Sequence, residues 1–204
     1  MINNVKKIME NYIPKIYGKR RRSSVLLPLI QVNGKYHVLY EVRSRHVSQS
    51  GDSSFPGGKV EADETYEEAA VRETMEELNL NRENIQVFGE MDYIVSERMM
   101  IRCFVGEIIG VTVEEIEPNL EVETVYTLPL DYLIENNPSH FSVNLTPTFE
   151  EDIIAVQEDK GYEFELIEHK HKIPYYDIEK HSLWGFTANL TERFIEIIRS
   201  KTDN

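Results

Sequence analysis

A single cysteine, Cys103, is all that this 204-residue chain contains, so no internal disulfide can staple it and its apolar core must hold it together. Cys103 sits in MIRCFVGEII, a stretch that reads as a buried strand, with no histidine nearby in sequence to draw off its proton. Glycine and proline are scarce, at 10 and 8 residues, which excludes fibrous and low-complexity classes. No run approaches the roughly 18 consecutive apolar residues of a membrane-crossing helix. The amino-terminal MINNVKKIMENYIPKIYGKRRRSS has neither the uninterrupted apolar segment nor the cleavage site of a secretory signal, and a cytoplasmic location is the expectation.

Positive charge is also short, with 22 Lys and Arg against 36 Asp and Glu and a net charge of −14 at pH 7. A field of that sign repels nucleic acids and anionic membrane surfaces, so neither is expected as a partner. A phosphate ligand then requires an intervening cation, and a tight cluster of carboxylates is how a protein recruits Mg²⁺ or Mn²⁺.

What is present is an ordinary globular composition, 41% hydrophobic and 28% charged, with length for one sizeable core. One domain over residues 1–204 is expected, without repeat or linker. Ile2, Val5, Ile8, Met9, Tyr12 and Ile13 recur at helical spacing and predict a helix over about 2–13, stopped by Pro14. Lys19 to Arg22 form a basic run that reads as a solvated turn. Strands follow at about Val25 to Val32 and Tyr36 to Val42, joined by Asn33-Gly34, a strong hairpin signal. NIQVFGEMDYIVS and MMIRCFVGEIIG read as further strands, and ETVYTLPLDYLIENN as a strand running into a short helix with Asp131 near its start. Residues 146–161 are polar and acidic and read as a mobile loop. LWGFTANLTERFIEIIRS predicts a closing amphipathic helix, about 187–200. Helices interleaved with mixed strands indicate an α/β sandwich.

The most informative stretch is FPGGKVEADETYEEAAVRETMEELNL, residues 55–80. It carries eight carboxylates, opposed only by Lys59 and Arg72. Glu64 to Leu78 is free of Gly and Pro and predicts a helix, with Asp63 as N-cap and Asn79 in the left-handed position that ends it. At about 100° per residue, Ala70, Val71, Thr74, Met75 and Leu78 share one arc and Glu73, Glu76 and Glu77 another. Like charges at that spacing destabilise a helix by roughly 0.2 to 0.5 kcal/mol per pair, and a divalent cation reverses the sign. A Glu-rich helix is ordinarily just a solvated face. The Phe55-Pro56-Gly57-Gly58 turn sets this one apart, because it can bring backbone carbonyls close to an ion.

Gly58, Glu64, Arg72, Glu73, Glu76, Glu77 and Leu80 follow the Nudix box, G-x5-E-x7-R-E-U-x-E-E-x-G-U, where U is aliphatic. Thr74 stands at an aliphatic position and Asn79 at the second glycine. The chain thus resembles Nudix hydrolases. That resemblance implies a Nudix-type α/β/α sandwich with a mixed β-sheet and a Mg²⁺- or Mn²⁺-dependent hydrolase of nucleoside diphosphate derivatives. It implies Glu73, Glu76, Glu77 and the Gly58 carbonyl as metal ligands. Glu64 and Arg72 would orient them, and the base would be Glu73 or Glu77, or Glu121 or Glu123 from a loop outside the box.

Arg43, Ser44, Val47, Gly51 and Phe55 to Gly58 are similar to the additional motif of coenzyme A pyrophosphatases. The spacing before Gly51 is one residue short, and Ser48 and Gln49 stand where a basic residue and a histidine are common. Trp184, Gly185, Thr187 and Ala188 are similar to the closing segment of the same subfamily. The resemblance implies cleavage of coenzyme A or acyl-coenzyme A to 3′,5′-ADP and a 4′-phosphopantetheine product. Arg43, Ser44 and Phe55 would then bind substrate, with Arg43 or Arg20 to Arg22 open to a 3′-phosphate. Trp184 reads as a packing residue, and His169 and His171 as surface residues. ADP-ribose or a nucleotide sugar is the alternative substrate, a non-catalytic nucleotide sensor the alternative class, and a homodimer an open arrangement.

Overall fold

The computed structural model describes residues 2–14, 17–18, 20–96, 98–145 and 169–202. Residues 146–161, read from sequence as a mobile loop, lie outside them. The central strand is β1 (Arg21–Val32), hydrogen-bonded antiparallel to β2 (Lys35–Arg43) through the turn at Asn33 and Gly34. Both turn residues have positive φ, 51° and 78°, as this tight hairpin requires. β1 begins four residues ahead of the expected Val25. Its parallel partner β7 (Met99–Ile108) takes up Arg21 and Arg22 opposite Met99 and Met100, so half of the basic run is strand rather than solvated turn.

Around these lie β3 (Ser53–Ser54), β4 (Gly57–Lys59), β5 (Ile85–Glu90), β6 (Ile94–Val95) and β8 (Val122–Pro129). The order β3-β2-β1-β7-β5, with β4 on β1, β6 on β7 and β8 on β2, makes a mixed sheet of eight strands. A second, antiparallel sheet has the order β11-β10-β9, from β9 (Ser139–Leu145), β10 (His169–Ile178) and β11 (His181–Trp184).

Both faces of β1 are buried, which explains its near-continuous apolar run. Leu26 and Ile30 pack toward the helix α2 (Tyr66–Leu78), with Ala70, Val71 and Leu78. Leu27 and Leu29 pack on the other side, with α3 (Leu130–Glu135), the second sheet and α4 (Gly185–Thr202), through Leu133, Leu183, Leu190 and Phe194. The layers are those of the expected α/β/α sandwich. On that second side four rings stack in a column: Phe55 on Tyr40 with centroids 5.2 Å apart, Tyr40 on Tyr126 at 5.3 Å, and Tyr126 on His181 at 3.9 Å. Cys103 is fully buried, and burial pushes its thiol up to about 12, as an inert strand residue requires.

Two helix boundaries differ from expectation. The first helix, α1, spans Ile2–Glu10 rather than reaching residue 13. Its end frays through Asn11 and Tyr12, whose amides bond carbonyls three residues back, as Pro14 pushes Ile13 out of helical geometry. The start of α2 is capped by Thr65, not Asp63. Thr65 Oγ1 accepts the Glu68 N–H at 3.2 Å while Glu68 Oε2 accepts the Thr65 N–H at 2.7 Å. Thr65→Ala is expected to cost about 1 kcal/mol, read as a fall of roughly 2–4 °C in the thermal midpoint by circular dichroism. At its other end Asn79 is left-handed, with φ 52° and ψ 46°. No helix among the described residues is long and apolar enough to cross a membrane.

Candidate active site

The site begins with two glycines. β4 is clamped between β1 and α2, with backbone against Gly57 and the end of the Glu73 side chain against Gly58. A Cβ on Gly57 would collide with the Ser24 carbonyl oxygen, and one on Gly58 with the Glu73 carboxylate. The bare backbone therefore lies directly against the acids of α2. Glu77, only 5% exposed, accepts the Gly57 N–H on Oε2 at 2.7 Å.

Arg72 organises the remaining acids. Its Nε and Nη2 grip Glu64 at 3.1 and 2.8 Å, and Nη2 also bonds the Lys59 carbonyl at 3.2 Å. Its Nη1 pairs with Glu73 at 3.0 Å and Glu76 at 3.3 Å. Hydrogen bonds from Arg72 hold Glu64 below the usual carboxylate range, and the acids in turn hold the Arg72 proton more tightly. Burial pushes Glu73 up, against the pull of Arg72. It pushes Glu77 up further, helped by the charge of Glu41.

The three glutamates expected on one face thus divide. Glu73 and Glu77 face the glycine turn, while the Glu76 side chain is 57% exposed and leans on Arg72. Among the described residues, no three or more His, Cys, Asp or Glu side chains form a ready-made metal cage. Outside the box, Glu121 just ahead of β8 and Glu123 on it are both exposed, and the charge of Glu121 acts on both Glu41 and Glu73. Ser44, expected to touch substrate, is buried beneath the Glu121 loop. Its Oγ donates to the Leu120 carbonyl at 2.6 Å and its N–H to the Glu121 carbonyl at 2.8 Å, so it braces that loop instead.

Glu41 was missed by sequence reasoning. It looks like one polar position in an alternating strand, because the groups around it come from β3 and α2, distant in sequence. Phe55 is buried in the ring column, with an edge on the cavity beside the turn.

That cavity, about 520 Å³, opens from Gly57 and Gly58 toward the second sheet. Arg43 and Arg21 line it, whereas Arg20 is tied to the Ser96 carbonyl and Arg22 lies over the Tyr66 ring. Trp184 and Phe186 form its far wall, with His171 at the edge. Trp184 is therefore not plain packing: it is 37% exposed and donates from Nε1 to Asp52 Oδ1 at 3.0 Å. Asp52 also bridges to Ser182, so one loop residue ties the near wall to the far one.

Comparison with known proteins agrees with this geometry. The model of the NUDIX domain matches residues 20–149. Nudix hydrolase 3 of Caenorhabditis elegans is 38% identical over 119 residues, covering 55% of this chain and 49% of that protein. This chain therefore spans about half the length of that relative. The mitochondrial coenzyme A diphosphatase of Homo sapiens is 25% identical over 205 residues, covering 97% of this chain and 78% of that protein. The peroxisomal coenzyme A diphosphatase of Mus musculus is 32% identical over 115 residues, covering 54% of this chain and 48% of that protein. Among solved structures, a MutT/nudix family protein from Enterococcus faecalis superposes with a TM-score of 0.50 at 15% identity, covering 98% of this chain and 70% of that one.

Proposed function

The chain belongs to the NUDIX family, and on that premise we propose that it hydrolyses the diphosphate of a nucleoside diphosphate derivative, with coenzyme A or its thioesters as substrate. One observation carries the reading. Glu73 and Glu77 are held against the bare backbone of Gly57 and Gly58 at one end of a cavity of about 520 Å³ that also presents Arg21 and Arg43.

The residues fit a hard divalent cation. Glu73 and Glu77 offer carboxylate oxygens, Gly58 has no side chain to block its carbonyl, and burial raises the proton affinity of both acids, a cost that a bound cation would offset. In this reading Glu73, Glu77 and the Gly58 carbonyl hold Mg²⁺ or Mn²⁺, with Glu76 joining once it leaves Arg72. When bound, such an ion neutralises charge on the diphosphate oxygens and makes water a better nucleophile.

The chain's own groups do the rest. Arg72 fixes the Glu73 carboxylate, and the Gly57 N–H fixes that of Glu77. Arg43 and Arg21 draw phosphate oxygens into the cavity. Water attacks one phosphorus in line, forming a P–O bond as the bridging P–O bond breaks. Glu121 is our choice to receive the water's proton on a carboxylate oxygen, because its charge reaches Glu41 and Glu73 and its backbone carbonyl is held by the Ser44 N–H. Coenzyme A is favoured by the names of the human and mouse relatives and by the makeup of the cavity. Its aromatic wall of Trp184 and Phe186 suits an adenine or an apolar acyl group, and its second arginine suits a 3′-phosphate.

The test is product identification. With Mn²⁺ or Mg²⁺, coenzyme A is expected to yield 3′,5′-ADP and 4′-phosphopantetheine, and EDTA is expected to stop the reaction. Rapid cleavage of ADP-ribose or a nucleotide sugar, with coenzyme A untouched, would move the assignment to that class. Nucleotide binding without turnover of any of these would make the chain a sensor.

A further inference from the structure

β2 carries a buried carboxylate whose charge is felt by Glu77 of α2. Glu41 lies between Tyr40 and Val42, 1% exposed, on a strand hydrogen-bonded along both edges, facing Val125 of β8 and Ser54 of β3. Its position is therefore rigid. Ser54 Oγ donates to Oε1 at 2.8 Å, while Oε2 is fully enclosed and has no hydrogen-bond partner. A buried carboxylate oxygen without a partner is among the costlier things a core can contain.

Its neighbours relieve that cost only in part: the Ser54 hydrogen bond and the Arg43 charge favour the carboxylate, while Glu121 and Glu73 oppose it. The charge of Glu41 also acts on Glu77, that of Glu73 acts on both with the same sign, and Arg43 opposes them at both buried acids. Arg43 is itself engaged, with its Nε donating to the Ser48 carbonyl at 2.8 Å. Accepting one serine hydroxyl does not require a carboxylate and leaves Oε2 unexplained. A divalent ion beside Glu41 and Glu77 would satisfy that oxygen and turn mutual repulsion into shared coordination.

We propose that Glu41 is a ligand of the catalytic cation, so that the sheet as well as the helix contributes a carboxylate and Oε2 is the coordinating oxygen. This rests on the hydrolase reading above. A carboxylate from the sheet beside those of the helix and the Gly58 carbonyl of β4 would hold the ion from three separate elements.

The test titrates Mn²⁺ calorimetrically into the full chain and follows thermal unfolding with and without Mn²⁺. Glu41→Gln is expected to weaken Mn²⁺ binding about 10- to 100-fold. Its metal-free midpoint should stay at or above that of the unmodified chain, since a buried like charge has gone, and the rise that Mn²⁺ gives should shrink. A purely structural role predicts the reverse pattern, a lower metal-free midpoint with unchanged Mn²⁺ affinity, and that result overturns the proposal. Glu41→Asp, which keeps the charge but retracts the carboxylate, should also weaken Mn²⁺ and serves if the Gln variant does not fold; unchanged affinity there is equally fatal. Weakened binding in Glu77→Gln beside normal binding in Glu41→Gln overturns only the role of Glu41. Failure of the unmodified chain to take up Mn²⁺ overturns the hydrolase reading as well.

Discussion

Glu77→Gln is expected to lower kcat by roughly 10²- to 10³-fold while leaving the fold intact. Under the proposed function the charge of Glu77 goes to the cation, and removing it would forfeit several kcal/mol of transition-state stabilisation at about 1.36 kcal/mol per factor of ten. The amide keeps the shape of the acid, and its oxygen can still accept the Gly57 N–H that holds β4 in place. Glu77 is nearly fully buried and its neighbour Glu41 is also an acid, so neutralising it should not lower the metal-free thermal midpoint. Steady-state kinetics at saturating Mn²⁺, beside a thermal melt, separate the two effects. A kcat within about threefold of the unmodified chain would remove Glu77 from the chemistry.

Gly57→Ala should be the most damaging small substitution in the turn. The new Cβ would collide with the Ser24 carbonyl oxygen and lie 2.6 Å from the Val25 Cα, both backbone atoms that cannot rotate away. β4 must then lift from β1, carrying the Gly57 N–H away from Glu77 and the Gly58 backbone away from Glu73. Overpacking of this kind is expected to cost about 3 kcal/mol, a fall of roughly 6–12 °C in thermal midpoint for a chain of this size, along with most of the activity. Gly89→Ala is the control, because nothing lies within 4 Å of a Cβ there. Equal stability of the two variants in urea titration would show that the clamp around β4 is loose.

The parts of the molecule readable from sequence are those whose causes are local. Asn33-Gly34 and Asn79 carry their own conformational preference, and each takes up the left-handed geometry that its residue type favours. The acidic helix was legible from its composition, but its start was not. Asp63 and Thr65 are both good caps. The choice falls to Thr65 because Glu68 returns its hydrogen bond, while Glu64 is drawn off to Arg72. Box spacing marked Glu73, Glu76 and Glu77, yet not that Arg72 would hold Glu76 outward. Glu41 and Trp184 were opaque for a common reason. Each takes its meaning from residues far along the chain, Glu77 for the one and Asp52 for the other, and no local pattern announces such a meeting. At Ser44 the motif position suggested substrate contact, and the fold shows its hydroxyl bonded to the Leu120 carbonyl, a partner that the motif does not announce.

The two walls of the cavity come from different parts of the chain. Gly57, Gly58 and their acids stand on the main sheet and α2, whereas Trp184, Phe186 and His171 come from the second sheet and the start of α4. Under the proposed hydrolysis, chemistry and recognition are therefore inherited separately. Selection can redraw the far wall for a longer, shorter or differently charged leaving group without disturbing an acid. The Asp52 link to Ser182 and Trp184 sets the limit on that freedom, because a mutation that frees the far wall also loosens the loop leading into the glycine turn.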